Sequence, residues 1–291
     1  MPCEWREVAG CRTFWSAPLM KAAIDDVARL KKNAPELGEM VTVVTDEAEL
    51  KKHRVKGAAG ATLTAKAASM WPYKYVAFIL ERLIKEGRLN LQTKTPVTSM
   101  EPCPDEWKGA AVGARYSVHT SRGIINARHV ILATNGYTSH LLPSFADLIV
   151  PVRGEMSALL PPPGSERLGH SYGFVGAHGQ DPNHDDYLVQ RPFSGVLNPA
   201  GHLMYGGGRG EGRLETIGMT DDSVIDEGSA AYLRRTLLGA LDLAGEAESM
   251  KELTATHQWT GIMGYSRDNH PWVGPVPGQP GVWLVGGYTG Q

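Results

Sequence analysis

The stretch that most constrains the fold is residues 129–137, where the chain passes from an apolar run into small and polar residues, HVILATNGY. Three consecutive apolar residues, Val130–Leu132, predict a strand buried on both faces, as in the central parallel strands of α/β layers. Residues 133–136 allow a sharp turn at its carboxyl end, where open α/β sheets bind their ligands. Residues 282–290 repeat the pattern, with a strand at 282–285 and a glycine-rich continuation. Either stretch alone indicates only a core strand and a turn, but together they indicate a site for a nucleotide-type cofactor.

The bulk composition narrows the class of protein. With 291 residues, 42% of them hydrophobic and 21% charged, the chain is expected to form two domains or one large one. A formal net charge of -2 gives no support to a nucleic-acid or membrane partner, and no apolar run approaches the roughly 20 residues of a membrane-spanning helix. The start of the chain does not resemble a signal peptide, and the three cysteines are too scattered for a disulfide framework or a zinc site. We therefore expect a cytoplasmic protein.

The first half of the chain predicts helices mixed with strands. Apolar spacing and capping residues predict helices at 17–33, with Ser16 as N-cap, at 46–50, with Thr45 as N-cap, and from Pro72 to Gly87. Strands are predicted at 41–44 and 89–93, and hairpins at 54–64 and 115–125. The helix, glycine turn and strand of residues 72–93 indicate half of a βαβ crossover.

From Val150 onward, short strands separated by turn residues predict a mostly antiparallel sheet, with members at 157–160, 172–175, 187–190, 202–205 and 254–259. One helix is predicted within it, residues 230–243, with Ser229 as N-cap. Residues 272–274 and 282–285 return to the α/β pattern. The predicted fold class is therefore α/β, mixed with α+β.

Several motifs in a fixed order resemble a known family. They are Trp71-Pro72-Tyr73-Lys74, residues 90–97, residues 133–137, Pro151-Val152-Arg153-Gly154-Glu155, Trp259-Thr260-Gly261-Ile262, Ser266-Arg267-Asp268, Pro271-Trp272-Val273-Gly274 and residues 285–290. From about residue 40 on, the chain resembles the FAD-dependent oxidoreductases of the D-amino-acid oxidase and glycine oxidase superfamily, in the form common in fungi. The resemblance implies a partial, Rossmann-like FAD-binding domain at 66–147 and 263–291. It also implies a substrate domain built on an antiparallel sheet at 36–65 and 148–262, after an N-terminal helical segment at 1–35.

The resemblance also implies contacts with FAD. Val97 lies in the segment that meets the adenine end, the turn at 133–135 passes close to the cofactor, and the C-terminal loop faces the flavin ring. The predicted cofactor-binding residues are Val97, Ala133, Thr134, Asn135, Arg267, Gly286, Gly287, Tyr288, Thr289 and Gly290. Small residues suit this role because a backbone approaches a ligand closely only where side chains are small. No cysteine follows Cys103, so the FAD is expected to be bound non-covalently.

The sequence departs from the family pattern at the pyrophosphate site. The G-x-G-x-x-G turn is not found, and the glycines of residues 206–212 have the wrong spacing, so we interpret them as a turn after a substrate-domain strand. We therefore expect a partial chain, without the front of the dinucleotide fold and a final helix. As a separate piece it is predicted to bind FAD poorly, because no helix N-terminus meets the phosphates, and to be poorly soluble.

The substrate is expected to be a small amine or amino acid, oxidised at its C–N bond by hydride transfer to the flavin. Arginines grip carboxylates with a planar fork, and the candidates are Arg153, Arg191, Arg209 and Arg267, of which Arg191 is preferred. Tyr187, Trp259 and Tyr265 are candidates for an apolar wall, although buried aromatic residues are usually core. The histidines lack metal-ligand spacing, and a serine hydrolase has no support. A non-catalytic remnant or interaction module remains the alternative function, and the oligomeric state is left open.

Overall fold

The computed structural model describes residues 3–103, 113–177, 185–193 and 201–289. Its strands are β1 (Arg6–Phe14), β2 (Val41–Val44), β3 (Gly60–Ser69), β4 (Val97–Pro102), β5 (Tyr116–Thr120), β6 (Gly123–Ala127), β7 (Val130–Leu132), β8 (Ile149–Leu159), β9 (His170–Val175), β10 (Asp185–Gln190), β11 (Leu203–Gly207), β12 (Ala255–Ser266), β13 (Trp272–Pro275) and β14 (Val282–Gly286). Its α-helices are α1 (Ala17–Asn33), α2 (Pro35–Gly38), α3 (Glu47–Lys52), α4 (Pro72–Lys85), α5 (Thr138–Leu141) and α6 (Glu227–Ala240). None of these helices in the described chain is long and apolar enough to cross a bilayer.

The chain forms two compact units. Of the described residues, the first unit contains those within 3–82, 154–214 and 223–260. The second unit contains those within 83–153, 215–222 and 261–289. The first unit is built on an eight-stranded sheet in the order β12-β8-β11-β10-β9-β1-β3-β2. Its strand pairs are antiparallel where the register is described, except that β1 runs parallel to β9.

One face of this sheet carries the core of the first unit. Alternate residues of the strands, such as Phe174, Leu188 and Tyr205, are completely buried, and they pack with Leu233 and Leu237 of α6. These two leucines stand four residues apart and therefore lie on the same side of the helix. The core thus fixes α6 against one face of the sheet, and α6 does not cover the opposite face.

The second unit contains two three-stranded sheets, one in the order β13-β14-β7 and one in the order β4-β5-β6. Strand β14 runs parallel to β7, with Val282 opposite Val130, and antiparallel to β13. Its core contains Leu132, Phe145, Ile149, Val282 and Leu284. The parallel pair places the carboxyl ends of β7 and β14 side by side.

Much of the predicted architecture is confirmed. The mixed α/β fold class, the helix at 17–33 with its Ser16 cap, the hairpin of β5 and β6, and all the strands predicted after residue 150 are present. The strands within residues 129–137 and 282–290 are neighbours and run parallel. The prediction that residues 130–132 are buried on both faces is wrong, however. Strand β7 lies at the edge of its sheet, and the side chain of Ile131 is 66% exposed.

Three predictions from local patterns are wrong because distant partners decide the structure. The segment 1–35 is not simply helical, since Arg6–Phe14 forms a strand between β9 and β3. Residues 54–64 form no hairpin, because Gly60–Leu63 begins the longer β3, which pairs with β1 and β2. Residues 89–93 are irregular, and the side chain of Gln92 bonds Asn90 and accepts from Arg122. The expected half of a βαβ crossover is therefore absent from this described segment.

The N-caps of two helices also differ from the prediction. Asp46 replaces Thr45 as the cap of α3, and its Oδ1 accepts the N–H of Glu49 at 2.9 Å. Asp226 replaces Ser229 as the cap of α6, and Ser229 instead donates its own N–H to Asp226 at 3.1 Å. In both helices a carboxylate lies where the N–H groups of the first turn need an acceptor.

The sheet of β7, β13 and β14 carries an exposed apolar face. Ile131 and Trp283 are paired, Val273 joins them through its partner Val285, and the three are 66%, 44% and 69% exposed. Exposed apolar sheet faces promote association. Replacing Ile131 and Val273 by threonine, which keeps the β-branched shape, is expected to raise the soluble fraction on expression. Val282→Thr, at a fully buried position of the same sheet, is the control and should lower it. An unchanged soluble fraction in the double variant would contradict the prediction.

Candidate functional site

The carboxyl ends of β7 and β14 are joined by one side chain. The amide nitrogen of Asn135 donates to the carbonyl of Tyr288 at 2.9 Å, and its Oδ1 accepts the N–H of Tyr288 at 2.8 Å. The side chain thus binds the loop after β14 as a neighbouring strand would. The structure therefore brings together the turn and the loop in which the sequence analysis placed most cofactor-binding residues.

The turn that presents Asn135 is itself tightly held. Asn135 has a φ of 45°, in the left-handed region that asparagine tolerates better than most residues. The hydroxyl of Thr138 donates to the carbonyl of Asn135 at 2.8 Å and lies 3.0 Å from the hydroxyl of Thr134. These bonds fix the direction in which the Asn135 side chain leaves the turn.

Two glycines allow β12 to pass directly beneath this turn. A Cβ atom on Gly136 would lie 2.8 Å from the carbonyl of Met263, and one on Gly264 would lie 2.7 Å from Oδ1 of Asn135. Any larger residue at either position would push the turn away from β12. These glycines thus serve packing within the unit, whereas Ala133 at the start of the turn is exposed.

A turn formed by residues 266–272 lies beside the C-terminal loop. Gly287 has a φ of 81°, and a Cβ atom on it would lie 3.0 Å from the Cβ of Ser266, so Ser266 would have to shift. The carboxylate of Asp268 accepts the N–H groups of His270 and of the Trp272 ring at 3.1 and 3.0 Å. These bonds, led by the one from His270, lower the pKa of Asp268 and keep the turn closed. Arg267 is exposed on this turn.

The remaining predicted cofactor residues lie in different surroundings. Val97 begins β4 and pairs with Thr120 in the other sheet of the second unit, away from the hydrogen bonds of Asn135. Gly286 ends β14 and is buried, whereas Tyr288 is exposed and Thr289 partly exposed. Gly290 lies outside the described residues.

In the first unit, two predicted aromatic residues share the sheet face that is turned away from α6. Tyr187 lies opposite Gly206, which lies opposite Met156, and the hydroxyl of Tyr187 is 3.0 Å from the sulfur of Met156. Thr260 bonds Glu155 and Gln258 bonds Ser157. This register places Trp259 beside Met156. An aromatic residue, a methionine and a second aromatic residue thus form an apolar row, in which Tyr187 and Trp259 are 49% and 39% exposed. Tyr265, the third predicted member of the wall, belongs to the second unit.

Arg191 continues the same face beyond the end of β10, because side chains at every second position, here Tyr187, Val189 and Arg191, point to the same side of a strand. Its guanidinium carbon lies 4.4 Å from the centre of the Trp71 ring, and Lys74 Nζ lies 4.2 Å from the same ring. Its Nη2 is buried and has no hydrogen-bond partner among the described residues. Burial, followed by the charge of Arg191, lowers the pKa of His202. Arg191 is thus a cation stacked on Trp71, and one of its nitrogens has no hydrogen bond to any described residue.

The other arginines are placed differently. Arg153 is buried, and its backbone N–H donates to Thr216 in the second unit. Arg209 lies in the glycine-rich turn after β11, which is confirmed as a turn at a strand end. Gly208 donates its N–H to Asp186 at 2.8 Å, and Ser229 Oγ donates to the carbonyl of Gly208. These contacts commit the turn to α6 rather than to a phosphate.

Two of these features have no signal in the sequence. Nothing in the pattern around Asn135 signals a partner 153 residues away. Trp71 was noted only as part of a motif, and its stacking on Arg191 has no local signal. Among the described residues there is no cluster of three or more metal-ligating side chains.

The residues at 133–135 and 286–289 can be compared with what binding of FAD requires. The segments after the two parallel strands consist mostly of small residues, with Thr134 and the hydrogen-bonded Asn135 among them. Hydrogen bonds within the protein hold their backbone in place. Such an arrangement suits a flat, polar ring system that is read by backbone groups. The residues at 133–135 and 286–289 therefore fit FAD.

Known proteins resemble this chain in sequence and in fold. The sequence profile of the FAD dependent oxidoreductase family, DAO, matches residues 1–291. The probable oxidoreductase OrdL of Rhizobium meliloti (strain 1021) is 29% identical over 187 residues, which cover 64% of this chain and 36% of that protein.

Solved structures with the same fold include a glycine oxidase from Geobacillus kaustophilus, with a TM-score of 0.70, 18% identity and coverage of 98% of this chain and 66% of that one. They also include an iminodiacetate oxidase from Chelativorans sp. BNC1, with a TM-score of 0.67, 18% identity and coverage of 97% and 67%. The chain thus spans about a third of the curated relative and about two thirds of these solved chains. Because the family profile matches the whole chain, the protein belongs to the DAO family of FAD-dependent oxidoreductases.

Proposed function

We propose that the protein oxidises the C–N bond of a small amine or amino acid, with non-covalently bound FAD as the hydride acceptor. Membership of the DAO family supports FAD, and structural neighbours named as glycine and iminodiacetate oxidases support a substrate with nitrogen beside the reacting carbon. FAD supplies the oxidising power when bound, so the chain has to hold, orient and shield the substrate.

The residues proposed to hold FAD are Ala133, Thr134, Asn135, Gly286, Gly287, Tyr288 and Thr289, with Val97, Arg267 and Gly290 as further contacts. Asn135 acts through the loop, since its amide bonds fix Tyr288. It is therefore a positioning residue.

Removing the Asn135 side chain is expected to free the loop after β14. In Asn135→Gly the left-handed φ is tolerated and only the two bonds are lost, whereas Asn135→Ala loses the bonds and strains the turn as well. Both variants should speed hydrogen exchange at the Tyr288 amide, and Asn135→Ala should also lower the melting temperature. Equal exchange rates in wild type and both variants would show that the loop is held by other contacts.

The substrate's carboxylate is proposed to bind Arg191, and the observation that carries this step is its buried Nη2, which has no hydrogen-bond partner in the described part of the chain. A carboxylate oxygen is the acceptor that such a donor favours most, because both groups are charged. Tyr187, Met156 and Trp259 are proposed as the wall that excludes water from the reacting carbon. Such positioning lowers the activation barrier because the reacting C–H bond is held in the orientation that hydride transfer requires.

The reaction balances if bound FAD takes up the hydride, solvent takes up the proton, and oxygen or another electron acceptor reoxidises the cofactor after each turnover. The carbon beside the nitrogen loses a hydride, the nitrogen loses a proton, and the C–N single bond becomes an imine. Water then hydrolyses the imine to a carbonyl compound and ammonia or an amine.

The test is a product assay on the full natural protein loaded with FAD. It compares glycine, alanine, proline, aspartate, iminodiacetate and simple alkylamines with 2-hydroxy acids of equal length. The proposal predicts a carbonyl product and a released amine from at least one nitrogen compound and no product from the hydroxy acids. Turnover of hydroxy acids alone would contradict it, and a folded, FAD-loaded protein without any turnover would favour the non-catalytic alternative.

A further inference from the structure

A narrow cavity opens at the end of the eight-stranded sheet, close to Arg191. Its walls include Arg6 of β1, Ser69 of β3, Arg167 and Gln190. Arg6 and Ser69 face each other directly in the register of β1 and β3. The cavity holds about 10 Å³, which is room for one water molecule or one oxygen atom of a ligand.

Two hydrogen-bond donors in this cavity are buried without a partner in the described part of the chain. They are Nε of Arg6 and the hydroxyl of Ser69, a residue that is only 7% exposed. The other end of Arg6 is fixed, since its Nη2 donates to the carbonyl of Gln190 at 2.9 Å. The side chain of Gln190 accepts the N–H of Leu168 at 2.7 Å. Hydrogen bonds thus hold Arg6 and Gln190 in place, while Nε of Arg6 and the Ser69 hydroxyl have no acceptor among the described residues.

The cavity is also positively charged. Burial, then the nearby charge of Arg167, lowers the pKa of Arg6, which marks a cation held beside another cation. Glu4 opposes this effect, but its carboxylate is already paired with Lys74 at 2.7 Å. An anionic acceptor would satisfy both the charges and the donors, whereas water would satisfy the donors alone.

The cavity lies close to Arg191, because the residue before it, Gln190, is one of the cavity walls. The carbonyl that accepts from Arg6 belongs to Gln190, the residue before Arg191. Trp71, on which Arg191 stacks, is two residues after Ser69 and donates its N–H to the carbonyl of Cys3. The unpartnered donors of Arg6 and Ser69 thus lie on two paired strands, and Arg191 follows the residue that accepts from Arg6.

We propose that this cavity binds an oxygen of a second carboxylate of the substrate, so that the protein selects amines carrying two carboxylates. The proposal rests on the proposed function, in which Arg191 binds the first carboxylate. A carboxylate can insert one oxygen into a space of this size. Simple monocarboxylic amines would then leave the cavity to water.

The experiment measures binding of non-oxidisable acids to the full natural protein by titration calorimetry. Malonate, succinate and glutarate are compared with propionate, butyrate and valerate, and inorganic phosphate is titrated separately. At least one diacid is expected to bind ten times or more tightly than the monoacid of the same length. The best diacid length measures the distance between the two sites. Ser69→Ala and Arg6→Gln are expected to remove most of this preference, and Arg191→Met is expected to weaken monoacids and diacids alike.

Arg12→Gln is the matched control, because Arg12 lies on the same strand but is exposed and paired with Asp185 at 2.9 Å. It should leave the preference intact. Equal binding of diacids and monoacids would show a single ordered water only and would overturn the proposal, as would phosphate binding that competes with the diacid. If Arg6→Gln does not fold, Ser69→Ala and Arg167→Gln still test the proposal, because Ser69→Ala removes only one oxygen atom. A preference for diacids that survives in both of these variants also overturns the proposal. These acids are not oxidised, so a preserved preference without turnover would count against the proposed function alone.

Discussion

Replacing Asp226 by alanine is expected to lower the free energy of unfolding by about 3 kcal/mol, combining the loss of an N-cap with the burial of unpaired N–H groups. Asp226 is 3% exposed. Its Oδ1 accepts from Ser229, and its Oδ2 accepts the N–H groups of Arg213 and Leu214 at 2.8 and 2.7 Å. One carboxylate thus starts α6 and ties the glycine-rich turn to it. Because α6 carries the core leucines of the first unit, its loss should be felt throughout that unit.

Urea denaturation of wild type and variant measures this effect. Asp46→Ala is the control, because Asp46 caps a short helix and, among the described residues, its side chain accepts from the N–H of Glu49 only. Its loss should cost about 0.5–1 kcal/mol, at the low end for an N-cap. Equal losses for the two variants would mean that the extra bonds of Asp226 contribute nothing.

The same residue predicts how stability depends on pH. Burial by itself raises the pKa of Asp226, but the backbone N–H groups of Leu214, Ser229, Arg213 and Gly228 outweigh it, and the net pKa is lowered. A carboxylate with a lowered folded pKa contributes stability above its unfolded pKa of about 3.9, and this contribution is lost as the pH falls through the folded pKa. The stability difference between wild type and Asp226→Asn should therefore be constant near neutral pH and shrink below about pH 4. A difference that grows on acidification would contradict this assignment.

Arg191→Met is expected to raise KM for a carboxylated substrate roughly 10- to 100-fold, the range of charge-assisted hydrogen bonds. The methionine keeps most of the length of the side chain but loses the charge and the fork. Arg191→Lys should recover little, because a single ammonium group lacks the planar fork that stacks on Trp71. An amine without a carboxylate should be oxidised equally well by all three proteins.

Steady-state kinetics with a carboxylated substrate and its decarboxylated amine separate these outcomes. Arg29→Met, at an exposed position of α1, controls for the general loss of a positive charge. A KM unchanged in Arg191→Met would place the carboxylate elsewhere. A loss of bound FAD in the same variant would indicate a structural role instead.

The sequence predicted those parts of the fold that depend on local patterns. The apolar runs before residues 133 and 286 were recognisable as strands because several β-branched or aliphatic residues stand together. The helix of Leu233 and Leu237 was recognisable from its period. In contrast, β1 carries Glu7 and Arg12 among its residues, and only its parallel partner β9 and antiparallel partner β3 make it a strand. Long-range pairing of this kind has no local signal.

The candidate site was predictable to a similar degree. The turn at 133–135 and the loop at 286–289 were identified from small residues after strands, and their proximity followed once the strands were parallel. The bonds between Asn135 and Tyr288 were not predictable, because any polar residue in the turn gives the same pattern. Arg191 was selected from its place after β10, but its stacking on Trp71 and its unpartnered nitrogen depend on three-dimensional packing.

The measurement that tests the account most directly is anaerobic reduction of the FAD-loaded, full natural protein by an amine deuterated at the carbon beside the nitrogen. The account predicts that the visible absorbance of oxidised FAD is lost on mixing, and that the loss is several-fold slower with the deuterated amine than with the ordinary one. Absorbance that persists with every amine tested, or that falls at the same chemistry-limited rate for both forms of the substrate, would contradict C–N oxidation at this site.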